Sequence, residues 1–120
     1  MLKLVKKTEQ VHEIEVAGQK VGFTVRPASL GDLDIAYVTA IDETETLGLD
    51  GQVKDNIFAL KAGRSLMLQR IAAWEGVYLS EEEQAPCTLE NLIAFFTQYP
   101  ATFRDLSEAV RARDEEAEKN

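Results

Sequence analysis

Residues 11–26, VHEIEVAGQKVGFTVR, decide how this chain folds, because apolar and polar side chains alternate on both sides of a glycine. A period of two places every second side chain on the same face of a strand. Gly18, between the two runs, has the backbone freedom that a tight turn needs. A lone hairpin is marginally stable in water, so helices are expected to cover its apolar face. The segment thus predicts a β-hairpin with an apolar face of Ile14, Val16, Val21, Phe23 and Val25.

The chain leaves this hairpin at Pro27 and enters a helix that the pattern predicts over residues 29–43. Ser29 is a typical N-cap residue, and Asp32 three positions later completes a capping-box pattern. A polar loop with two glycines is predicted over residues 42–52. In the helix predicted over residues 29–43, apolar side chains occur at the spacing of an amphipathic face, namely at Leu30, Leu33, Tyr37 and Ile41.

A second, longer helix is predicted over residues 53–75, with Gly76 as its end. Its apolar positions advance in alternating steps of four and three, as in a heptad seam, if Arg64 fills one gap. Gly63 weakens the middle of this helix by about 1 kcal/mol relative to Ala. The seam consists of Val53, Ile57, Leu60, Met67, Ile71 and Trp74.

Two residues of this seam have alternative interpretations. The phase of Trp74 favours burial, but Trp is also enriched at the hot spots of protein interfaces. Arg64 either lays its aliphatic stem along the surface or pairs with an acid across an oligomer interface. The seam itself faces either the chain's own hairpin or a second subunit.

The C-terminal third predicts two further helices, over residues 89–98 and 101–113. Thr88 is a suitable N-cap for the first. Pro100 separates them, because proline costs about 3 kcal/mol inside a helix and little at its first position. The acidic residues 114–120 are predicted to fray. Apolar side chains step by four and three across this region, at Leu92, Phe96, Tyr99, Phe103, Leu106 and Val110.

These elements predict an α+β, mostly helical fold, with an N-terminal β-hairpin packed on a bundle of about four helices. A chain of 120 residues, 45% of them hydrophobic, fits one domain, which we place over residues 1–113.

The charge of the chain indicates which partners to expect. It carries 21 acids against 13 bases, a formal net charge of −8, and this repels nucleic acid phosphates. A neutral or basic protein is the more favourable partner. No signal-peptide pattern and no apolar run of membrane-spanning length occurs, so no membrane association is expected, and the cytoplasm is the expected compartment.

The sequence offers few residues for catalysis. His12 is the sole histidine and Cys87 the sole cysteine, too few for a zinc site and poorly suited to nucleophilic catalysis. The acidic segment 42–46 lacks the EF-hand calcium pattern, because Leu47 and Val53 occupy the positions of the required Gly and Glu. We therefore predict no catalytic, cofactor-binding or metal-binding residues, and a protein that acts by binding other proteins.

Several stretches resemble tail assembly chaperones of long-tailed bacteriophages and prophages. Residues 23–33, FTVRPASLGDL, are similar to the strand, Arg-Pro pair and Gly-Asp-Leu helix start of that family. Residues 74–77 (WEGV), 88–92 (TLENL) and 99–100 (YP) are similar to its Trp-x-Gly-Val helix end, following helix and Tyr-Pro step. Residues 81–84 (EEEQ) replace the family's Asp-Gly turn, so the shape of that loop departs from the pattern.

The resemblance implies a chaperone that binds the tape-measure protein and tail-tube subunits during tail assembly. Candidate contact residues are Arg64, Trp74, Tyr99 and Phe103. Genes of this family often carry a ribosomal slippage site before the stop codon. Residues 118–120 (EKN) are compatible with the slippery codons GAA-AAA-AAC, which would produce a longer form of the chain. The chain's own second copy is a further possible partner.

Three other interpretations stay open at the level of sequence. A head–tail connector component would persist in the mature virion, whereas an assembly chaperone would not. A small antitoxin-like adaptor would also act by protein binding. An enzyme would need an acidic cleft with strongly shifted pKa values.

Overall fold

A computed structural model describes residues 1–4 and 6–119 of the chain. It confirms the α+β class, since this part of the chain contains four helices and a three-stranded antiparallel sheet. Asn120, the last residue of the predicted tail and of the slippage-compatible tripeptide, lies outside the described residues. The elements are β1 (Gln10–Val16), β2 (Gln19–Val25), α1 (Leu30–Thr46), α2 (Gly51–Arg70), β3 (Ile71–Glu75), α3 (Leu89–Gln98) and α4 (Pro100–Lys119).

The chain divides into two compact units. The sheet unit comprises Met1–Pro27 and Ile71–Asn120, and the helical hairpin comprises Ala28–Arg70. The four helices fall two in each unit. The single domain predicted over residues 1–113 stays a prediction.

The predicted β-hairpin is confirmed at the N-terminus of the sheet unit. β1 and β2 pair antiparallel in the register that sets Ile14 opposite Val21. Ala17 and Gly18 form the turn with φ angles of 51° and 81°, and positive φ at both positions is typical of the turns that match strand twist.

The prediction of a helix over residues 53–75 is wrong for its last five residues. α2 ends at Arg70, and residues 71–75 form β3, which pairs antiparallel with β2 and sets Trp74 opposite Phe23. A third strand satisfies the backbone groups along the free edge of β2 and stabilises a hairpin that is marginal alone. Gly76 therefore ends a strand and not a helix.

The core of the sheet unit is aromatic and aliphatic. Phe23 and Val25 of β2 are fully buried, as are Leu106 and Val110 of α4. The ring of Phe23 stacks on that of Phe96 in α3 at 5.9 Å between centroids. Burial of the apolar face of the hairpin by helices is thus as the sequence predicts.

The C-terminal helix is longer than predicted. It begins at Pro100, one residue before the predicted start, and runs to Lys119, so the prediction of a frayed tail from residue 114 is wrong for its described residues. Two contacts hold its last turns against β1 and the segment before it. Gln10 donates to Asp114 Oδ1 at 2.8 Å, and Lys7 pairs with Glu118 at 3.1 Å.

α1 of the helical hairpin begins as predicted and ends three residues later than predicted. Ser29 accepts from the backbone N–H of Asp32, and the Asp32 side chain accepts from the N–H of Ser29, which confirms the capping box. The hydroxyl of Thr46 donates to the carbonyl of Asp42 at 2.8 Å in the last turn. Since α2 begins at Gly51, the loop predicted over residues 42–52 shrinks to residues 47–50.

α1 and α2 pack antiparallel. The start of α1 contacts the end of α2, where Gln69 donates to the carbonyl of Asp32 at 3.3 Å. Near the other end, Lys61 pairs with Glu43 at 2.9 Å. The buried side of α1 consists of Asp32, Ala36, Ala40 and Thr44.

Candidate functional site

The apolar stripe of α1 is exposed, and it is the most prominent surface feature of the helical hairpin. A stripe of this kind normally faces a protein core, but Leu30 is 81% exposed and Tyr37 is 59% exposed. Large exposed apolar patches mark sites of interaction with other proteins or membranes. The stripe consists of Leu30, Leu33, Tyr37, Val38 and Ile41.

Acidic side chains border the α1 stripe along one side. Helix α1 contains five acids and no base. Asp34, Val38, Ile41 and Glu45 follow at helical steps of four, three and four, so carboxylates and apolar side chains share this side of the helix. The surface is therefore apolar with a negative rim.

A shallow cleft continues the α1 stripe towards the C-terminal end of the helix. It has a volume of about 280 Å³ and is bordered by the Lys61–Glu43 ion pair. Beside the middle of the stripe, the ring of Tyr37 lies on that of Phe58 in α2, with 5.4 Å between centroids. The lining residues of the cleft are Asp42, Glu43, Thr46, Leu47 and Lys61.

Three of the four candidate contact residues lie in one aromatic cluster of the sheet unit. Trp74 contacts Phe95 at 5.5 Å, Phe95 contacts Tyr99 at 5.1 Å, and Phe96 contacts Phe103 at 5.0 Å between ring centroids. The fourth, Arg64, belongs to the helical hairpin and is exposed. Their role in partner binding stays a prediction.

Trp74 is buried and held by its neighbours. Its indole N–H donates to the carbonyl of Ala85 at 2.8 Å, and its own carbonyl accepts from the side chain of Gln84. These bonds tie β3 to the loop after Gly76. The same loop borders a cleft of about 260 Å³ that is lined by Tyr78, Phe95 and Tyr99 together with the hairpin turn. Tyr99 is thus half-buried in the aromatic cluster and accessible from this cleft.

A polar network joins β1 to α4. His12 Nε2–H donates to Gln10 Oε1 at 2.7 Å, and the amide of Gln10 donates to Asp114. Burial lowers the pKa of His12 below its ordinary value, the nearby Arg113 guanidinium lowers it further, and Asp114 opposes the shift. Elsewhere in the sheet unit, burial raises the pKa of the Cys87 thiol.

The His12 shift predicts that acidification weakens the fold. Because the folded pKa is lowered, the unfolded chain takes up the proton first as the pH falls through about 6.5. The stability that the neutral His12 contributes is therefore fully present above the unfolded pKa of about 6.5 and is lost as the pH falls through the folded pKa. Urea titrations at about pH 7.5 and pH 5.5, a window above most carboxyl pKa values, should give a lower midpoint at pH 5.5. His12→Gln should reduce the difference between the two urea midpoints. If that difference stays unchanged, groups other than His12 cause it.

Metal-ligand clusters and membrane-spanning helices are both absent from the part of the chain that the structure describes. Among residues 1–4 and 6–119, no three or more His, Cys, Asp or Glu side chains are grouped in positions that would hold a metal ion. None of the helices in the same residues combines the length and the apolar character that crossing a membrane requires.

Comparison with protein-family models, with curated proteins and with solved structures finds no match for this chain. The described residues define an α+β protein whose helical hairpin exposes an acidic-rimmed apolar face.

The exposure of the α1 stripe is the feature of the candidate site that the sequence did not predict. Its residues are visible in the sequence as an amphipathic pattern. A second signal in the same helix indicates which face is buried: Ala36 and Ala40, four residues apart, allow the backbone of another helix to approach closely. The side with the two alanines is the one that packs on another helix, which leaves the apolar stripe on the surface.

Proposed function

We propose that this protein is a tail assembly chaperone of a long-tailed phage or prophage, acting in the cytoplasm of the bacterial host by protein binding and not by catalysis. Its clients are the tape-measure protein and tail-tube subunits. The sequence resemblance supports the family, and the exposed apolar stripe of α1 supports the mode of action. That stripe is the single observation on which the mode of action rests.

The stripe has enough apolar surface to hold a helical client. Covering one Leu, Ile or Phe side chain completely stabilises a complex by about 1.5–3 kcal/mol. Association costs several kcal/mol or more in lost freedom, so several such side chains are needed together. The α1 stripe supplies five on one helix, which suits a client helix with apolar side chains at the same spacing.

The charge of α1 indicates the chemistry of the client. The exposed acids Asp34, Asp42 and Glu45, on a helix without a base, repel an identical α1 and attract lysine or arginine side chains. A client helix with basic residues beside its apolar stripe fits both properties of the surface. A long apolar protein such as a tape measure would be kept soluble in this way until tube subunits cover it.

Charge introduced into the α1 stripe should abolish client binding. In Tyr37→Asp and Ile41→Asp, a buried carboxylate in the complex costs far more than the apolar contact that it replaces. We expect the affinity for the co-expressed tape-measure protein to fall at least about tenfold, a change of roughly 1.4 kcal/mol. Pull-down and titration calorimetry measure this loss.

Leu79→Asp is the matched control, because Leu79 is also 59% exposed but lies in the loop of the sheet unit. It should bind like the unaltered chain. If neither the tape-measure nor the tail-tube protein binds the unaltered chain, the proposed function is wrong. Detection of the protein in purified mature virions by mass spectrometry would instead favour a connector.

A further inference from the structure

The first half of the α2 seam is exposed, and it belongs to a different helix from the α1 stripe. Val53 is 58% exposed and Leu60 is 54% exposed, while Ile57 between them is half-buried. Arg64 is exposed, and its guanidinium makes no hydrogen bond or ion pair within the residues that the structure describes. A guanidinium on an apolar seam without a partner of its own is available for an acid from another molecule.

The seam has the spacing of a coiled coil and a charge at each end. Asp50, immediately before α2, is exposed, and its carbonyl accepts the N–H of Lys54 at the start of the helix. From Val53 the seam advances by four, three and four residues to Arg64, which keeps these four members on one side of α2. Asp50 lies just before the first turn of the helix, where Gly51 has a φ angle of 60°. In order, the exposed part of the seam with the charge at each end is Asp50, Val53, Ile57, Leu60 and Arg64.

We propose that this seam binds the same seam of a second copy of the chain, in an antiparallel, two-fold arrangement. In that orientation Ile57 of each copy packs against Leu60 of the other, and Arg64 lies over Val53. The long Arg64 side chain then reaches the carboxylate of Asp50 in the second copy. Two-fold symmetry forms this pair twice, once at each end of the seam.

Charge selects the antiparallel orientation over the parallel one. Parallel association sets Asp50 beside Asp50 and Arg64 beside Arg64, which is repulsive at both ends. Antiparallel association replaces both repulsions with attractions. The seam is thus complementary to itself when one copy is reversed.

The two exposed faces differ in the partner that their charge favours. α1, with the exposed acids Asp34, Asp42 and Glu45 and no base, repels a second α1 and suits a basic client. The α2 seam ends in one acid and one base and so needs no foreign partner to balance its charge. Self-association through α2 therefore leaves the α1 stripe free, and it does not depend on the proposed chaperone function.

The size of the seam sets the strength of the dimer. Three apolar side chains per copy bury less than the roughly 1,200 Å² of total surface at the lower end of stable interfaces. We therefore expect reversible association with a Kd on the order of 10–100 µM. Sedimentation equilibrium of the full chain from about 5 to about 500 µM should follow a monomer–dimer equilibrium in this range.

Two kinds of variant test the interface. Leu60→Glu should raise the dimer Kd at least about tenfold, because it places two carboxylates on the seam. Leu47→Glu alters an equally exposed apolar residue off the seam and should leave the Kd unchanged. Circular dichroism checks that each variant keeps its helices.

A charge-reversal cycle tests the orientation. Arg64→Asp and Asp50→Arg should each raise the Kd about tenfold, and the double variant should return it to within about threefold of the original. A monomer at about 500 µM, a dimer that Leu60→Glu leaves intact, or single reversals without recovery in the double variant would overturn the proposal. Client pull-down with the dimer-deficient Leu60→Glu should be unchanged, so failure of the dimer and failure of the chaperone function are distinguishable.

Discussion

Phe23→Ala should destabilise the sheet unit by about 3–5 kcal/mol, the usual cost of truncating a fully buried aromatic side chain. Phe23 has no exposed surface and lies at the centre of the aromatic cluster. Its ring contacts Phe95 edge to face at 6.2 Å and stacks on Phe96 at 5.9 Å between centroids. Such ring pairs add about 0.5–1.5 kcal/mol each beyond area burial. Alanine removes both pairs and leaves a cavity between the sheet and α3.

Urea denaturation followed by Trp74 fluorescence measures this loss directly, because the indole lies in the same cluster. A loss of this size is a large part of the 5–15 kcal/mol that typically stabilises a domain. Val11→Ala is the control, since Val11 lies on the neighbouring strand β1 but is exposed. It should change stability by no more than about 0.5 kcal/mol. A loss below about 1 kcal/mol in Phe23→Ala would mean that the cluster is not the centre of the core.

The hairpin, the helix starts and the break at Pro100 were predictable because each depends on neighbouring residues. Alternation in residues 11–26 and the turn at Gly18 determine the hairpin without reference to the rest of the chain. Capping at Ser29 and Thr88 is equally local, since each side chain accepts the N–H three positions on. Local physical chemistry is therefore sufficient for these features.

The end of α2 was not predictable in the same way. Ile71 and Trp74, three residues apart, fit the helical phase of the α2 seam and not the period of two of a regular strand. Both are buried in β3, whose register with β2 shifts between Thr24 and Val25. What decides between helix and strand is the edge of β2, more than forty residues earlier, where β3 supplies hydrogen-bonding partners. A short apolar segment can take its conformation from such a distant neighbour, even where its own spacing favours a helix.

The candidate site was only partly predictable for a related reason. A sequence pattern identifies apolar stripes on α1 and α2 but does not say which of them a neighbour covers. Tyr99 and Phe103 are half-buried members of a predicted stripe whose other members are buried, whereas Leu30 and Leu60 lie on stripes that are exposed. For Arg64, the charge on an apolar seam left two alternatives open, a stem that lies along the surface or a pair with an acid of a second subunit.

Both exposed stripes lie in the helical hairpin, and the sheet unit contains the aromatic core. This separation means that changes to each unit have different readouts. Substitutions in the aromatic cluster should alter stability, while charge on α1 or α2 should alter binding and leave the helical signal intact. The proposed client and second copy are then distinguished by which helix is changed.

Gly76→Ala should destabilise the sheet unit by about 2–6 kcal/mol, through backbone strain and a steric clash together. Gly76 has a φ angle of 94°, which side-chain-bearing residues rarely adopt. A Cβ at this position would also lie 2.7 Å from the carbonyl oxygen of Lys20. That oxygen belongs to the β2 backbone and has little freedom to move, so β3 would have to separate from β2 beside Trp74.

Gly48→Ala is the matched control that separates strain from clash. Gly48 has a similar positive φ angle of 66°, but a Cβ there meets nothing within 4 Å. It should therefore cost only the strain of a left-handed backbone, about 1–2 kcal/mol. Urea denaturation of both variants measures the difference, and Trp74 fluorescence should be altered in native Gly76→Ala alone. Equal losses in the two variants would contradict the close approach of the loop to Lys20, because only that contact distinguishes the two glycines.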